Sequence, residues 1–201
     1  PYTFQGCSGL REIVLPETLE EIGEKAFAGC EQLASITLPT TLEYIGSNAF
    51  SDNKRLIDPI IHGGNLVLGN GVFSGSYLIR EVVIGAEVLS LTGSFGFDNT
   101  TVRFQEASKC TQLDGNLFSG CNNVVLPQGL QILGDDVFNV NDYMTRLEIP
   151  ESVTTLGDRT FRECRKLESL VLPENITSIG SDVFYNCGAE GSRLTINFKR
   201  L

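Results

Sequence analysis

The stretch LASITLPTTLEYIGSNAF, Leu33 to Phe50, decides how the rest of the chain is read. Nearly the same words occur before it, LREIVLPETLEEIGEKAF from Leu10 to Phe27, and far downstream, LESLVLPENITSIGSDVF from Leu167 to Phe184. Ile36 and Leu38 alternate with Ser35 and Thr37, the period of a short strand with one face buried. Pro39 has no N–H to give to a ladder and ends that strand. Leu42 and Ile45 return inward on the opposite side, and Gly46 is expected to supply the bend. Ser47-Asn48-Ala49-Phe50 then reads as one turn of α- or 3₁₀-helix, with Phe50 plugging the corner.

The same Phe recurs as a beat: Phe4, Phe27, Phe50, Phe73, Phe95, Phe118, Phe138, Phe161 and Phe184, spaced by 23, 23, 23, 22, 23, 20, 23 and 23 residues. A fixed period of about 20–29 residues marks a solenoid in which each repeat is one coil. One coil alone cannot bury its apolar positions. Stacked coils put each Leu, Ile and Phe against its equivalents above and below. Residues 1–201 are therefore expected to form a single solenoid of about nine repeats of 20–23 residues. At about 4.8 Å per coil it is a rod roughly 40 Å long. The chain opens inside a repeat and without Met, as a piece excised from a longer protein would.

Not every copy is clean. Residues 57–104 keep the Phe beat but lose the Pro, with Ile61, Gly85 and Gln105 near where the Leu-Pro pair would end. Around Phe95 the register slips, Val102 and Phe104 taking the inward strand positions. The interval from Phe118 to Phe138 is three residues short. A local bulge or looser coil is expected there, within one continuous solenoid.

Leu-Pro after the strand, Ile-Gly before the corner and Ala-Phe-x-x-Cys after it recur together, most clearly in KAFAGCEQLASITLPTTLEYIGSNAF, Lys25 to Phe50. Over nearly the whole chain this pattern resembles the leucine-rich repeats of the BspA-like, or Treponema pallidum, type. The resemblance implies a leucine-rich repeat solenoid of the α/β horseshoe type, rich in β structure. Short parallel strands would line its concave side, with turns and short 3₁₀ or helical corners elsewhere. It also implies a cell-surface or secreted location, chiefly in host-associated bacteria and some protozoan parasites, and adhesion to host matrix proteins or other cells.

The composition closes off several functions. Lys plus Arg number 15 against 25 Asp plus Glu, a formal net charge of −10, which argues against nucleic acid as a partner. No apolar run reaches the roughly 18 residues of a membrane span, so no direct membrane insertion by this segment is expected. The basic cluster Arg159, Arg162, Arg165 and Lys166 reads as a solvated edge.

Five of the six cysteines, Cys7, Cys30, Cys121, Cys164 and Cys187, sit three residues after a repeat Phe, a slot that elsewhere holds Asn53, Ser76, Asp98 or Asn141. Such a slot suits a small group hydrogen-bonded to turn backbone, so free thiols are expected. Cys110 reads as a small core residue. The sole histidine, His62, reads as a surface turn, and with no Cys-x-x-Cys pair there is no zinc-ligand pattern. A single histidine also removes Ser-His-Asp and Cys-His catalysis from easy consideration. Asp135-Asp136 falls at a corner turn, where Asp commonly starts helices. No catalytic residue, metal ligand or cofactor is expected. Asn99-Thr100-Thr101 and Asn175-Ile176-Thr177 match the N-glycosylation triplet at near-chance frequency.

What remains is a surface. Two outward positions per strand run from Glu12 and Val14 through to Arg193 and Thr195. The candidate partner-binding residues are Val14, Thr37, Ile60, Val83, Arg103, Val125, Arg146, Glu148 and Val171. They compose an apolar stripe interrupted by charge, with Arg103 and Arg146 as anchors. β-branched residues suit strands whether or not a ligand is bound, so the stripe has a purely structural reading as well. The expectation is a monomeric, non-catalytic binding domain of a surface or secreted protein. It would adhere to a protein or glycan, such as a host matrix or cell-surface protein. An intracellular protein–protein scaffold and the targeting arm of an enzyme remain as alternatives.

Overall fold

Each turn of the chain is held to the next by hydrogen bonds on three sides. A computed structural model describes residues 1–188 and 194–198, and among these every strand pair is parallel. The Leu-x-x-Ile-Gly segments build an eight-stranded sheet of β1 (Glu21–Ile22), β2 (Tyr44–Ile45), β4 (Asn65–Leu68) and β6 (Ser90–Thr92), continuing through β8 (Gln112–Asp114), β10 (Ile132–Leu133), β12 (Thr155–Leu156) and β14 (Ser178–Ile179). The segments that precede the Pro build the opposite side in two blocks. One is β3 (Ile60–Ile61), β5 (Glu81–Ile84), β7 (Thr100–Phe104) and β9 (Cys121–Val125); the other is β11 (Arg146–Glu148), β13 (Ser169–Leu172) and β15 (Thr195–Phe198). This is the expected leucine-rich-repeat solenoid, but its longer ladder lies on the Ile-Gly side.

Proline explains part of that difference. In the cleanest copy the Leu-Pro strand is reduced to a single bridge, Thr37 to Ile60. Where the Pro is replaced, the missing donor returns: Gly85 N–H donates to Ile61 O at 2.8 Å and Gln105 N–H to Ile84 O at 2.9 Å. There β5 and β7 run four and five residues. The degenerate coils are thus well paired through their backbone.

The core is the repeat itself. Phe50, Phe73, Phe95, Phe118, Phe138 and Phe161 are fully buried, as are Leu33, Leu38, Leu42, Ile45, Leu56 and Ile61. Each such side chain contributes about 1.5–3 kcal/mol of burial. Successive rings stack with centroids 5.1 Å apart for Phe4 and Phe27, 5.2 Å for Phe27 and Phe50 and 5.4 Å for Phe50 and Phe73. Phe97 then enters beside Phe95, 4.6 Å away, and the stack resumes from Phe118 to Phe184.

The corners are turns, and no helix occurs among the described residues. The helical reading of Ser47–Phe50 fails because left-handed residues flank the repeat Phe in most coils, that of Phe50 included. Two before it stand Lys25, Asn48, Asp136, Arg159 and Asp182, and two after it Asp52, Val140, Glu163 and Asn186, all with φ between 51° and 61°. A residue at positive φ breaks a right-handed helix. In exchange, alternate N–H groups point along the stack: Lys25 donates to Ser47 O, Phe27 to Ala49 O and Gly29 to Ser51 O, at 2.8–3.0 Å. Bonds to the neighbouring coil therefore take the place of a helix's internal ones.

Gly46 has a different role from the expected bend. It keeps an ordinary negative φ, but a Cβ there would lie 2.4 Å from Glu24 N and 2.6 Å from Gly23 C. Gly157 is placed likewise, 2.4 Å from Gly134 C. The Ile-Gly glycine is small because one coil's backbone rests on the next.

The post-Phe slot behaves as expected. Cys30 donates to Phe4 O, Ser76 to Phe50 O, Asn141 to Phe118 O and Cys164 to Phe138 O, each reaching the repeat Phe of the preceding coil. All six cysteines are free thiols, and Cys110 is buried in the core. Burial pushes the Cys110 thiol up to about 11 and the Cys121 thiol further still. Arg159 pairs with Asp136 at 2.8 Å and Arg165 with Glu163 at 2.6 Å, so the basic edge is substantially neutralised.

Candidate functional site

The stripe expected from the sequence is assembled by strand register. Thr37 faces Ile60, Ile60 faces Val83, Val83 faces Arg103 and Arg103 faces Val125. In the second block Glu148 faces Val171, while Arg146 stands in the adjacent column opposite Ser169. Parallel register puts neighbours about 4.8 Å apart along such a column. The inward partners Ile61, Val82, Ile84, Val102, Val124, Leu147 and Leu170 are buried, which fixes which face the candidates occupy.

Exposure differs along the stripe. Val14 is 94% exposed, Val125 55% and Ile60 40%, whereas Val83 and Val171 are half-buried. Val14 lies outside any strand, beside a depression at the first coil lined also by Phe4, Ile13, Leu15 and Leu19. Arg103 donates through Nε to Glu81 on the same face, so it presents an ion pair rather than a bare cation. With the two side chains 49% and 42% exposed, that pair contributes little to stability.

Between Val125 and Glu148 the ladder stops, because β9 and β11 do not pair. A groove of about 320 Å³ opens at this seam, lined by Val125, Arg146 and Glu148 together with Asn123 and Gln128. The structure thus gathers three candidates into one concavity and leaves Val14 apart, with Thr37, Ile60, Val83 and Arg103 strung along the flat sheet. The seam falls where the shortened Phe118 coil meets a full-length one.

The last coil is offset from its expected register. Thr195 pairs with Ser169 and Asn197 with Val171, so the outward pair there is Thr195 and Asn197. Arg193 lies outside the described residues.

His62 is no simple surface turn. It occupies a Pro slot, is half-buried, and its Nδ1 meets Glu87 Oε1. Burial works against the Glu87 carboxylate, but hydrogen bonds from His62 and from the backbone of Glu87 and Gly63 outweigh it and hold its pKa below the ordinary value. Among the described residues no group of three or more His, Cys, Asp or Glu is placed to hold a metal ion. Among them, too, no helix is long and apolar enough to cross a membrane.

Sequence reasoning weighed only one face. The outward residues of the eight-stranded sheet form two columns, Glu21, Tyr44, Val67, Thr92 and Asp114 in one and Asn65, Ser90, Gln112, Ile132 and Thr155 in the other; most are uncharged, and Ser90 Oγ donates to Asn65 Oδ1 along the second. The signal was present in the repeat, at the position before each Ile-Gly.

Known proteins place the chain. A leucine-rich cell surface protein from Faecalibacterium prausnitzii A2-165 superposes with a TM-score of 0.51 over 98% of this chain, at 18% identity. The chain spans 62% of that protein's length, and the likeness is one of fold. The Treponema pallidum leucine-rich repeat protein aligns at 18% identity with a TM-score of 0.42, covering 83% of this chain and 80% of its own. The pneumococcal vaccine antigen PcpA aligns at 18% identity with a TM-score of 0.43, covering 89% of this chain and 56% of its own. No curated protein matches the chain. The BspA-type leucine-rich repeat region, in six copies, matches residues 1–124 and 91–201. With the Phe stack, the Leu-Pro turns and the paired Ile-Gly strands all in place, the chain belongs to the BspA-type leucine-rich repeat family.

Proposed function

We propose that this repeat region is a non-catalytic protein-binding domain of a cell-surface or secreted protein, and that the face carrying Ile60, Val83, Arg103, Val125 and Arg146 adheres to a partner, such as a host matrix protein. The observation that carries the reading is the seam groove. Val125, 55% exposed, stands in one concavity with Arg146 and Glu148, an apolar contact flanked by both charges. Interfaces favour that composition, with arginine and apolar anchors at the centre and polar groups at the rim. A solvated sheet needs no exposed valine at the mouth of a groove. In favour of a surface location is the likeness of fold to a Faecalibacterium cell surface protein.

The test is binding of the purified domain to immobilised fibronectin, fibrinogen, laminin and collagen, repeated with Val125→Asp plus Arg146→Glu. Both side chains are exposed, so the variant should fold and keep its circular dichroism spectrum. Saturable binding weakened at least about tenfold is expected, the loss of one hot-spot contact. Equal binding by the folded variant would reject this face, and absence of binding to every protein would reject matrix adhesion.

A further inference from the structure

The corner side of the solenoid is interrupted at one place, and residue counts explain why. In a full coil the inward strand residue stands nine positions after the repeat Phe, as Val82 does after Phe73 and Leu147 after Phe138; Val102 pairs in register with Val82, and Val124 with Val102. Between these coils the interval is seven from Phe95 to Val102 and six from Phe118 to Val124. Two adjacent corners are cut short, and the full corners on either side stand above them as walls.

The result is a notch of about 590 Å³, within the range of small-molecule sites. Tyr77 forms one wall, Tyr143 and Val140 the other, and Asp98, Asn116 and Ser119 line the shortened corners between. Tyr143 donates its hydroxyl to Asp98 Oδ1, 45 residues away in sequence. That contact joins coils two apart, which a full corner between them would obstruct. Beneath it, Phe97 packs on Phe73 at 5.7 Å and on Phe95 at 4.6 Å.

The lining selects its ligand. Tyr77 is 63% exposed and Tyr143 40%, two aromatic surfaces in a notch that no Lys or Arg lines. An anionic ligand would meet Asp98 with no cation to offset it. A wholly apolar ligand would strip water from the Asp98 carboxylate and leave it only the Tyr143 hydroxyl, at a cost. A pyranose fits these conditions, with C–H faces for tyrosine rings and hydroxyl donors for the carboxylate.

We propose that this notch binds a neutral saccharide, stacked on Tyr77 and Tyr143 and hydrogen-bonded to the Asp98 carboxylate. The site is separate from the sheet face and does not depend on it.

The experiment is calorimetric titration of the 201-residue protein with soluble neutral oligosaccharides of glucose, galactose, mannose, xylose and N-acetylglucosamine, alongside sialylated and sulfated oligosaccharides. At least one neutral compound should bind saturably. Tyr77→Ala and Tyr143→Ala should each weaken it about tenfold, while Tyr143→Phe, which keeps the ring, weakens it less. Val125→Asp should leave it unchanged, separating the notch from the seam groove. The proposal is overturned by no neutral binding up to about 10 mM, by binding restricted to charged sugars, or by folded tyrosine variants that bind as well as the parent.

Discussion

Replacing Asn141 with alanine isolates what the post-Phe slot contributes. Asn141 is fully buried, donates through Nδ2 to Phe118 O at 2.6 Å and Cys121 O at 2.8 Å, and accepts at Oδ1 from the N–H groups of Tyr143 at 3.0 Å and Met144 at 2.8 Å. Alanine removes all four bonds and leaves backbone groups that water cannot readily reach. At about 1 kcal/mol net for each bond, the loss is about 4 kcal/mol. Asn141→Cys should lose about 3 kcal/mol, one bond less, because a thiol there can still donate to Phe118 O as Cys164 does to Phe138 O at 3.1 Å. Urea unfolding followed by circular dichroism gives the two differences, and hydrogen exchange shows whether loosening stays within the coils around Phe118 and Phe138. An alanine variant within about 1 kcal/mol of the parent, or a cysteine variant no better than alanine, would refute the claim that the slot works by hydrogen bonding.

Three further outcomes follow from the packing. Gly157→Ala places a methyl 2.4 Å from Gly134 C and should cost about 2–3 kcal/mol in urea unfolding; an unchanged midpoint would show that the coils are not in contact there. The lowered pKa of Glu87 gives stability that is present above the unfolded carboxylate value and lost as pH falls through the folded one. The protein should therefore lose stability below about pH 4.5, and Glu87→Gln should flatten that part of the profile; identical profiles would remove the His62–Glu87 pair as a cause. Thiol labelling with a disulfide reagent at pH 8 should modify exposed Cys7 in the native protein and spare buried Cys30, Cys110, Cys121 and Cys164 until urea is added, so rapid labelling of the buried set would contradict the packing.

The sequence shows its core because the inward positions obey one rule in every coil. Phe50 and Leu42 must be apolar for a reason visible locally, since each meets its own copy. The slot shared by Cys30, Ser76 and Asn141 was legible for the same reason, as those side chains share size and polarity. The corners were not legible. Ser47-Asn48-Ala49-Phe50 has acceptable helical residues, and what sets Lys25 or Arg159 at positive φ is a bond to the next coil, which no local window contains. Gly46 misled in the same way, since its neighbour Glu24 is 22 residues away. For the outward stripe, alternation placed Ile60 and Val125 on one face but gave no sign that pairing stops after Val125. The notch did leave a sign, the intervals of seven and six after Phe95 and Phe118, which read from sequence as a slipped register and a shortened coil.

Those intervals indicate where this architecture can hold information about a ligand. The eight-stranded sheet keeps unbroken pairing from β1 to β14 even though the Phe spacing varies from 20 to 23. Its strands are short, its glycines touch backbone, and a deletion there would separate two coils along their closest contact. The three residues missing from the Phe118 coil come instead from between Phe118 and Val124, on the corner side. There each coil is tied to the next by single turn bonds, so a shorter path costs only a few of them. Inner positions touch equivalents on both sides, and changing one strains two neighbours. Outward strand residues and corner lengths carry no such double constraint. Both candidate sites lie in that freer part of the molecule, the seam groove and the notch each bordering the shortened Phe118 coil.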